Sequence, residues 1–166
     1  MAFQSGEKKV MSEESAFSRL SGLCARTEYC LSDIRRKMER WELPAGADGR
    51  IVERLLTEKY VDENRYAHAF VRSKSRYNRW GRDKIVRMLK QKGISDSDIA
   101  DGLTELDDEE TEEMLIALLS SKMRSLKYKN DYELYLKLMR FAVSRGFPLD
   151  MVKRSIEGLI KTNMDL

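Results

Sequence analysis

Residue types that build reactive or cross-linked sites are scarce in this chain. Its 166 residues include one histidine, His68, and two cysteines, Cys24 and Cys30. A disulfide framework or a zinc site needs more ligands than these, so neither is expected. The sequence also lacks a phosphate-cradling glycine loop and the short motifs of metalloproteases and serine hydrolases. We therefore expect no metal and no cofactor. An enzyme built on either cysteine with His68 is conceivable, but nothing selects it, and we interpret the protein as a non-enzyme.

Long apolar runs and prolines are also scarce. No segment approaches the roughly 18 apolar residues of a membrane span. The start MAFQSGEKKV lacks the apolar segment of a secretory signal, so we expect a cytoplasmic protein. Two prolines, nine glycines and no sustained alternation of apolar and polar residues predict an all-α protein.

Positive charge is concentrated in one stretch, although the net charge of the chain is only +3. Residues 72–92 contain nine basic side chains and a single acid, Asp83. The nine are Arg72, Lys74, Arg76, Arg79, Arg82, Lys84, Arg87, Lys90 and Lys92. A charged helix face is often only solvated surface, but such a local excess favours a polyanionic partner, and arginine suits phosphate through its planar fork.

Two aromatic residues and a second basic group accompany this stretch. Tyr77 and Trp80 lie among the bases, where they could stack on exposed nucleobases. Packing at a helix end is the commoner role for aromatic residues at such positions. A second candidate contact lies further along the chain and consists of Arg140, Arg145, Lys153 and Arg154.

Acidic residues cluster in residues 101–113, which hold eight acids and no base. We interpret them as a solvated loop and as acids at the start of a long helix, where they complement the helix dipole. Repulsion of DNA, or pairing with a basic patch on a partner, is the alternative. The spacing is not that of a calcium loop.

Apolar residues at helical spacing predict a series of helices. The predicted helices cover Glu13–Arg26, Asp33–Trp41, Asp48–Lys59 and Asp62–Asn78, and a further long helix begins near Asp108. Cys30 or Ser32 is the expected N-cap of the second helix and Asp62 that of the fourth.

The pattern repeats about every 50 residues. Gly93 with Ile94 is matched by Gly146 with Phe147 at an offset of 53, and Lys74 is matched by Lys122 at an offset of 48. The unit is a short helix, a glycine-apolar turn, a short helix and a long helix. Three-helix units of this size are small enough that neighbouring units should pack end to end, which predicts an elongated, curved body. We predict a disordered N-terminus over 1–12 and repeats over 13–80, 81–128 and 129–166.

These segments carry a family resemblance. DENRYAHAFVRSKSRYNRWGRDKIVRMLKQKGISDSDIADGL, YCLSDIRRKMERWELP and LMRFAVSRGFPLDMVKRSIEGL resemble the RecX family of bacterial recombinase regulators. The resemblance covers about Ala16–Leu159. The chain departs from the family pattern at two places. It has Gly81-Arg82 where the family commonly has Gly-Pro, and it has Cys30 near the position where the family commonly has serine.

The resemblance implies three tandem three-helix repeats and a monomer that binds the RecA filament. In that role the protein would modulate, and usually inhibit, ATP hydrolysis and strand exchange in homologous recombination, DNA repair and the SOS response. The partners would be the RecA filament and single- or double-stranded DNA. Two alternatives stay open: a stand-alone helical DNA- or RNA-binding protein, for example one of the helix-turn-helix type, and a helical adaptor that binds only protein.

Overall fold

A computed structural model of the chain describes residues 8–164. Within this range the chain forms nine α-helices and one pair of two-residue strands. The elements in order are β1 (Lys9–Val10), α1 (Glu13–Cys24), α2 (Leu31–Met38), β2 (Trp41–Glu42), α3 (Ala47–Thr57), α4 (Glu63–Arg76), α5 (Arg82–Gln91), α6 (Asp96–Leu103), α7 (Asp108–Ser125), α8 (Asp131–Ser144) and α9 (Leu149–Met164). The prediction of an all-α repeat protein is confirmed.

Side-chain caps explain where five of these helices begin. In each case the residue before the helix accepts a hydrogen bond from the backbone N–H three residues later, which satisfies an otherwise unpaired donor. Asp62 does this for Arg65 at 2.9 Å, as the sequence predicts, and Asp107 does it for Glu110 at 2.9 Å. The other three caps are Ser12, Ser95 and Asn130. Cys30 is the N-cap residue of α2 but makes no side-chain cap bond.

Three separate apolar clusters divide the helices into three units. The first cluster joins α1–α3 through residues such as Leu20 and Ile51, and the second joins α4–α6 around Ile85. The third joins α7–α9 around Leu138. The accessible area of 10984 Å² exceeds the roughly 8,500 Å² typical of a compact monomer of this mass, which fits three small cores in a row.

These clusters divide the chain at other places than the predicted repeat boundaries. The sequence-based repeats end at 80 and 128, whereas the packed units begin with the long helices α4 and α7. A periodic sequence defines the length of a repeat but not the residue at which a packed unit starts. The repeated glycine turn is present in both places: Gly93 has φ +78° and Gly146 φ +87°.

The N-terminal segment differs from the expectation of disorder over 1–12. Residues 1–7 lie outside the described part of the chain. Lys9 and Val10 pair in parallel with Trp41 and Glu42, and Met11 packs against the first core. Two-residue strands have no apolar periodicity, so the sequence gives no signal for them.

Candidate polyanion-binding surface

The nine predicted bases of residues 72–92 do not form one continuous ridge. Three of them face carboxylates of the protein itself. Arg72 Nη1 lies 2.7 Å from Glu105 Oε1, and Lys90 Nζ lies 3.7 Å from Asp96 Oδ1. Lys92 Nζ lies 2.9 Å from Asp33 Oδ1, with 23% of its side chain exposed. Lys92 therefore joins the second unit to the first instead of facing outward.

The other six bases have no carboxylate within 4.0 Å among residues 8–163. They lie at the end of α4, in the connection to α5 and on α5 itself: Lys74, Arg76, Arg79, Arg82, Lys84 and Arg87. Arg79 adopts φ +53°, a conformation that is unusual for a residue other than glycine. The unpaired charge is thus centred on the α4–α5 corner.

Trp80 and Tyr77 have different surroundings at this corner. Trp80 is partly buried and packs edge-on against Phe70, with ring centroids 6.5 Å apart. Lys84 Nζ lies 4.4 Å and Lys74 Nζ 5.0 Å from the centroid of the Trp80 ring, so the indole braces two cations. Tyr77 is 86% exposed, which leaves its ring open to a partner. Stacking on a base stays a prediction for both residues.

The exposed side of α5 borders a groove. The groove has a volume of about 760 Å³ and lies between α5 and α6, over the apolar residues Val86 and Ile99. Arg82 and Arg87 line it, together with Asp83. These arginines therefore face a different side of the second unit from Lys84.

The third unit contributes to the same corner. Gly81 N–H donates to the carbonyl of Arg145 at 2.8 Å, and Asp83 N–H donates to the carbonyl of Gly146 at 2.9 Å. The Arg145 guanidinium donates to the carbonyl of Asn78 at 3.1 Å. Arg145, predicted as part of a second contact, thus lies beside the first group of bases.

The other three residues of the predicted second contact are Arg140, Lys153 and Arg154. Among residues 8–163, no hydrogen bond or ion pair joins any of them to the α4–α5 corner. Arg140 and Lys153 are exposed. Arg154 Nη2 lies 3.7 Å from Glu112 Oε1. The sequence interpretation missed Lys122, whose Nζ lies 5.2 Å from the centroid of Phe141 while Arg145 lies 5.4 Å from it. The internal repeat could have identified this residue, because Lys122 occupies the position that corresponds to Lys74.

The acidic segment mostly serves the protein itself. Asp107 caps α7, and Asp108, Glu109 and Glu110 occupy its first turn. Glu105 accepts from Arg72 and lies 2.8 Å from Nδ1 of His68. The hydrogen bond with His68, and then that with Arg72, lowers the pKa of Glu105 despite its partial desolvation.

The surroundings of the two thiols do not resemble a catalytic site. Burial, and then the charge of Glu28, raises the pKa of Cys24, which disfavours a nucleophilic thiolate. The Cys30 thiol lies 3.1 Å from Asp33 Oδ2, while His68 is engaged by Glu105. Within residues 8–164, no group of three metal-ligating side chains occurs, and no helix is both long and apolar enough to cross a membrane.

Comparisons with known proteins identify the family. The model of the second three-helix domain of RecX matches residues 62–103, and that of the third matches residues 108–156. The chain belongs to the RecX family. These two segments coincide with the second and third packed units, beginning at the cap Asp62 and at α7.

Relatives and solved structures agree with this assignment. The chain is 29% identical over 134 residues to proteins named "Regulatory protein RecX" from Bacillus thuringiensis (strain Al Hakam) and Bacillus mycoides (strain KBAB4). Each match covers 81% of this chain and 48% of the relative, so the chain spans about half the length of those relatives.

Two solved RecX structures share the fold. A crystal structure of regulatory protein RecX superposes with a TM-score of 0.79 at 24% identity, covering 87% of this chain and 73% of that one. RecX from Lactobacillus salivarius gives a TM-score of 0.77 at 17% identity, covering 89% and 96%.

Proposed function

We propose that this chain regulates the RecA recombinase by binding the RecA–DNA filament and inhibiting its ATPase and strand exchange. The observation that carries the proposal is the match of its second and third units to the RecX three-helix domains. In this role the protein acts in the cytoplasm as a monomer, in homologous recombination, DNA repair and the SOS response. It binds its partners without catalysis and without a cofactor.

The placement of unpaired charge supports a polyanionic partner of this kind. A recombinase filament presents DNA phosphates and acidic protein surface along a groove. Bases at the α4–α5 corner gain affinity there by releasing condensed counterions. A row of three small units offers an extended surface, and weak contacts at several units reinforce one another through effective concentration.

The direct experiment measures RecA ATPase and strand exchange on single-stranded DNA with increasing amounts of the purified chain. We expect both rates to fall, and we expect tighter binding to the assembled filament than to naked DNA. Unchanged rates at equimolar protein would reject the proposal.

Binding assays separate this function from the alternatives. A stand-alone DNA- or RNA-binding protein would bind free nucleic acid at least as tightly as filament and would leave the ATPase unaffected. An adaptor that binds only protein would show little dependence on salt.

A further inference from the structure

The contact between the second and third units leaves no room for a side chain at either of two glycines. A methyl group on Gly81 would lie 2.4 Å from the carbonyl carbon and oxygen of Gly146. A methyl group on Gly146 would lie 2.2 Å from Lys84 Cβ and 2.4 Å from its backbone nitrogen. Both distances are far inside van der Waals contact, so the two backbones touch only because both residues are glycine.

This contact brings together bases from two units. We define the junction site as Arg79, Lys84 and Arg145. Arg145 donates to the carbonyl of Asn78, immediately before Arg79, and the start of the Lys84 side chain lies against Gly146. None of the three has a carboxylate within 4.0 Å among residues 8–163. The nearest acid in sequence, Asp83, lines the α5–α6 groove with Arg82 and Arg87.

Building on the proposed function, in which DNA is part of the partner, we propose that the junction site binds the phosphodiester backbone of DNA. Contact between Gly81 and Gly146 assembles the site, so neither unit carries it alone.

The donors of the site suit phosphate. Arg145 uses one of its five guanidinium N–H groups on Asn78, so others are available for a phosphate oxygen. Arg79 is exposed and held at φ +53°, where an arginine is strained. The Trp80 and Phe141 rings beneath Lys84 and Arg145 restrict how far these cations can turn away. Three cations spread over two units suit a chain of regularly spaced charges.

Charge removal tests the site while a polar side chain is kept at each position. We would measure binding to a fluorescently labelled oligothymidylate over a range of salt concentrations, using Arg79→Asn and Arg145→Gln. Asparagine tolerates the left-handed conformation that Arg79 adopts. Each variant should reduce the slope of log affinity against log salt by about 0.7 and weaken binding about fourfold at 0.15 M salt.

Lys59→Asn is the matched control. Lys59 is an exposed base with φ +58°, and it lies between α3 and α4, away from the junction. It should leave both the slope and the affinity unchanged. Slopes that are equally insensitive in all three variants would overturn the proposal.

Two glycine substitutions test the assembly of the site. Gly146→Ala and Gly93→Ala both place alanine at a positive φ in the same repeated turn, but nothing lies within 4 Å of a methyl group on Gly93. Only Gly146→Ala should weaken DNA binding, and adding Arg145→Gln to it should weaken binding by much less than fourfold. Equal binding by the two alanine variants would show that the contact does not assemble the site.

Three further measurements cover the cases that these variants leave open: a folding check, a competing polyanion and a recombinase assay. Circular dichroism would show whether Gly146→Ala folds. If it does not, the double variant of Arg79→Asn with Arg145→Gln decides whether these bases bind DNA, because the loss of two phosphate contacts lowers the slope by about 1.4 and an unchanged slope rejects the site. If polyglutamate displaced the labelled oligothymidylate as well as unlabelled DNA does, the proposal that the site binds DNA would be overturned. Inhibition of the recombinase by variants that bind free DNA normally would leave the proposed function intact while rejecting the junction site.

Discussion

Lys92 Nζ lies 2.9 Å from Asp33 Oδ1, and this ion pair joins the C-cap residue of α5, in the second unit, to α2 of the first. Asp33 also accepts from the Cys30 thiol, which is buried in the second core. Burial alone would raise the pKa of Asp33, but the hydrogen bonds from Lys92 and Cys30 outweigh it and lower the pKa. One base of the predicted binding stretch is therefore part of the contact between units.

Replacing Lys92 with methionine should destabilise the protein, because it leaves the Asp33 carboxylate half-buried without its partner. We expect a loss of about 1–3 kcal/mol in the free energy of unfolding, measured with urea at pH 7. Adding Asp33→Asn should restore part of this loss. A double variant that loses the sum of both single effects would contradict a direct pairing.

The same pair predicts a dependence of stability on pH. The folded pKa of Asp33 lies below its unfolded value, so its contribution is present above about pH 4 and is lost as the pH falls through the folded pKa. Asp33→Asn should lose less stability than the wild type between pH 5 and pH 2, a range chosen around the usual carboxyl pKa. Urea unfolding at a series of pH values measures the difference.

Gly81→Ala should loosen the contact between the second and third units. Gly81 has φ −81°, which alanine adopts without strain, so the cost comes from the 2.4 Å approach to the Gly146 backbone. We expect a loss of about 1–3 kcal/mol, as for other overpacked sites, measured by thermal unfolding. Gly158→Ala is the control: nothing lies within 4 Å of its added methyl group, and it should stabilise α9 by about 1 kcal/mol.

Local features of the fold could be predicted from the sequence, since they depend on near neighbours in the chain. The cap at Asp62 and the glycine turns at Gly93 and Gly146 are examples, because a side-chain oxygen or a missing Cβ acts within a few residues. The apolar spacing likewise identifies the core residues of each helix.

Contacts between units could not be predicted in this way. Neither the pairing of Lys92 with Asp33 nor the approach of Gly81 to Gly146 leaves a periodic pattern in the sequence. As a result, the sequence-based prediction placed Lys92 among the bases that face a partner, and it placed Arg145 in a separate contact. The nine bases that the sequence places in one stretch are divided in the structure among the α4–α5 corner, the α5–α6 groove and ion pairs with carboxylates of the protein itself.

Neutralising three unpaired bases should weaken DNA binding and its salt dependence together. The variant combines Arg76→Gln, Arg79→Asn and Arg82→Gln, and the slope of log affinity against log salt should fall by about 2 for single-stranded DNA. Fluorescence anisotropy measures it. The control removes three exposed bases of the first unit and its connections: Arg26, Arg36 and Arg40. An unchanged slope in the first variant would move the site to the third unit.

Glu105→Gln should tighten DNA binding, because it removes the carboxylate that holds Arg72 and Nδ1 of His68. Release of one arginine toward phosphate gives at most about a fourfold gain at 0.15 M salt. Fluorescence anisotropy at neutral pH measures this gain. Glu58→Gln changes the net charge equally, but it acts on Arg54 in the first unit, which keeps its ion pair with Glu14, so it separates a local from a general effect.

The pH dependence of the same variant identifies the cause. The pKa of Glu105 is lowered, so the wild-type carboxylate stays ionised at neutral pH and keeps Arg72 paired. As the pH falls through that pKa, Glu105 becomes protonated and the affinity of the wild type should approach that of Glu105→Gln. Two results would contradict this explanation: Glu58→Gln tightens binding to the same extent, or the affinities of the wild type and of Glu105→Gln stay parallel as the pH falls. In either case the gain reflects net charge, and the ion pair with Glu105 does not keep Arg72 from binding DNA.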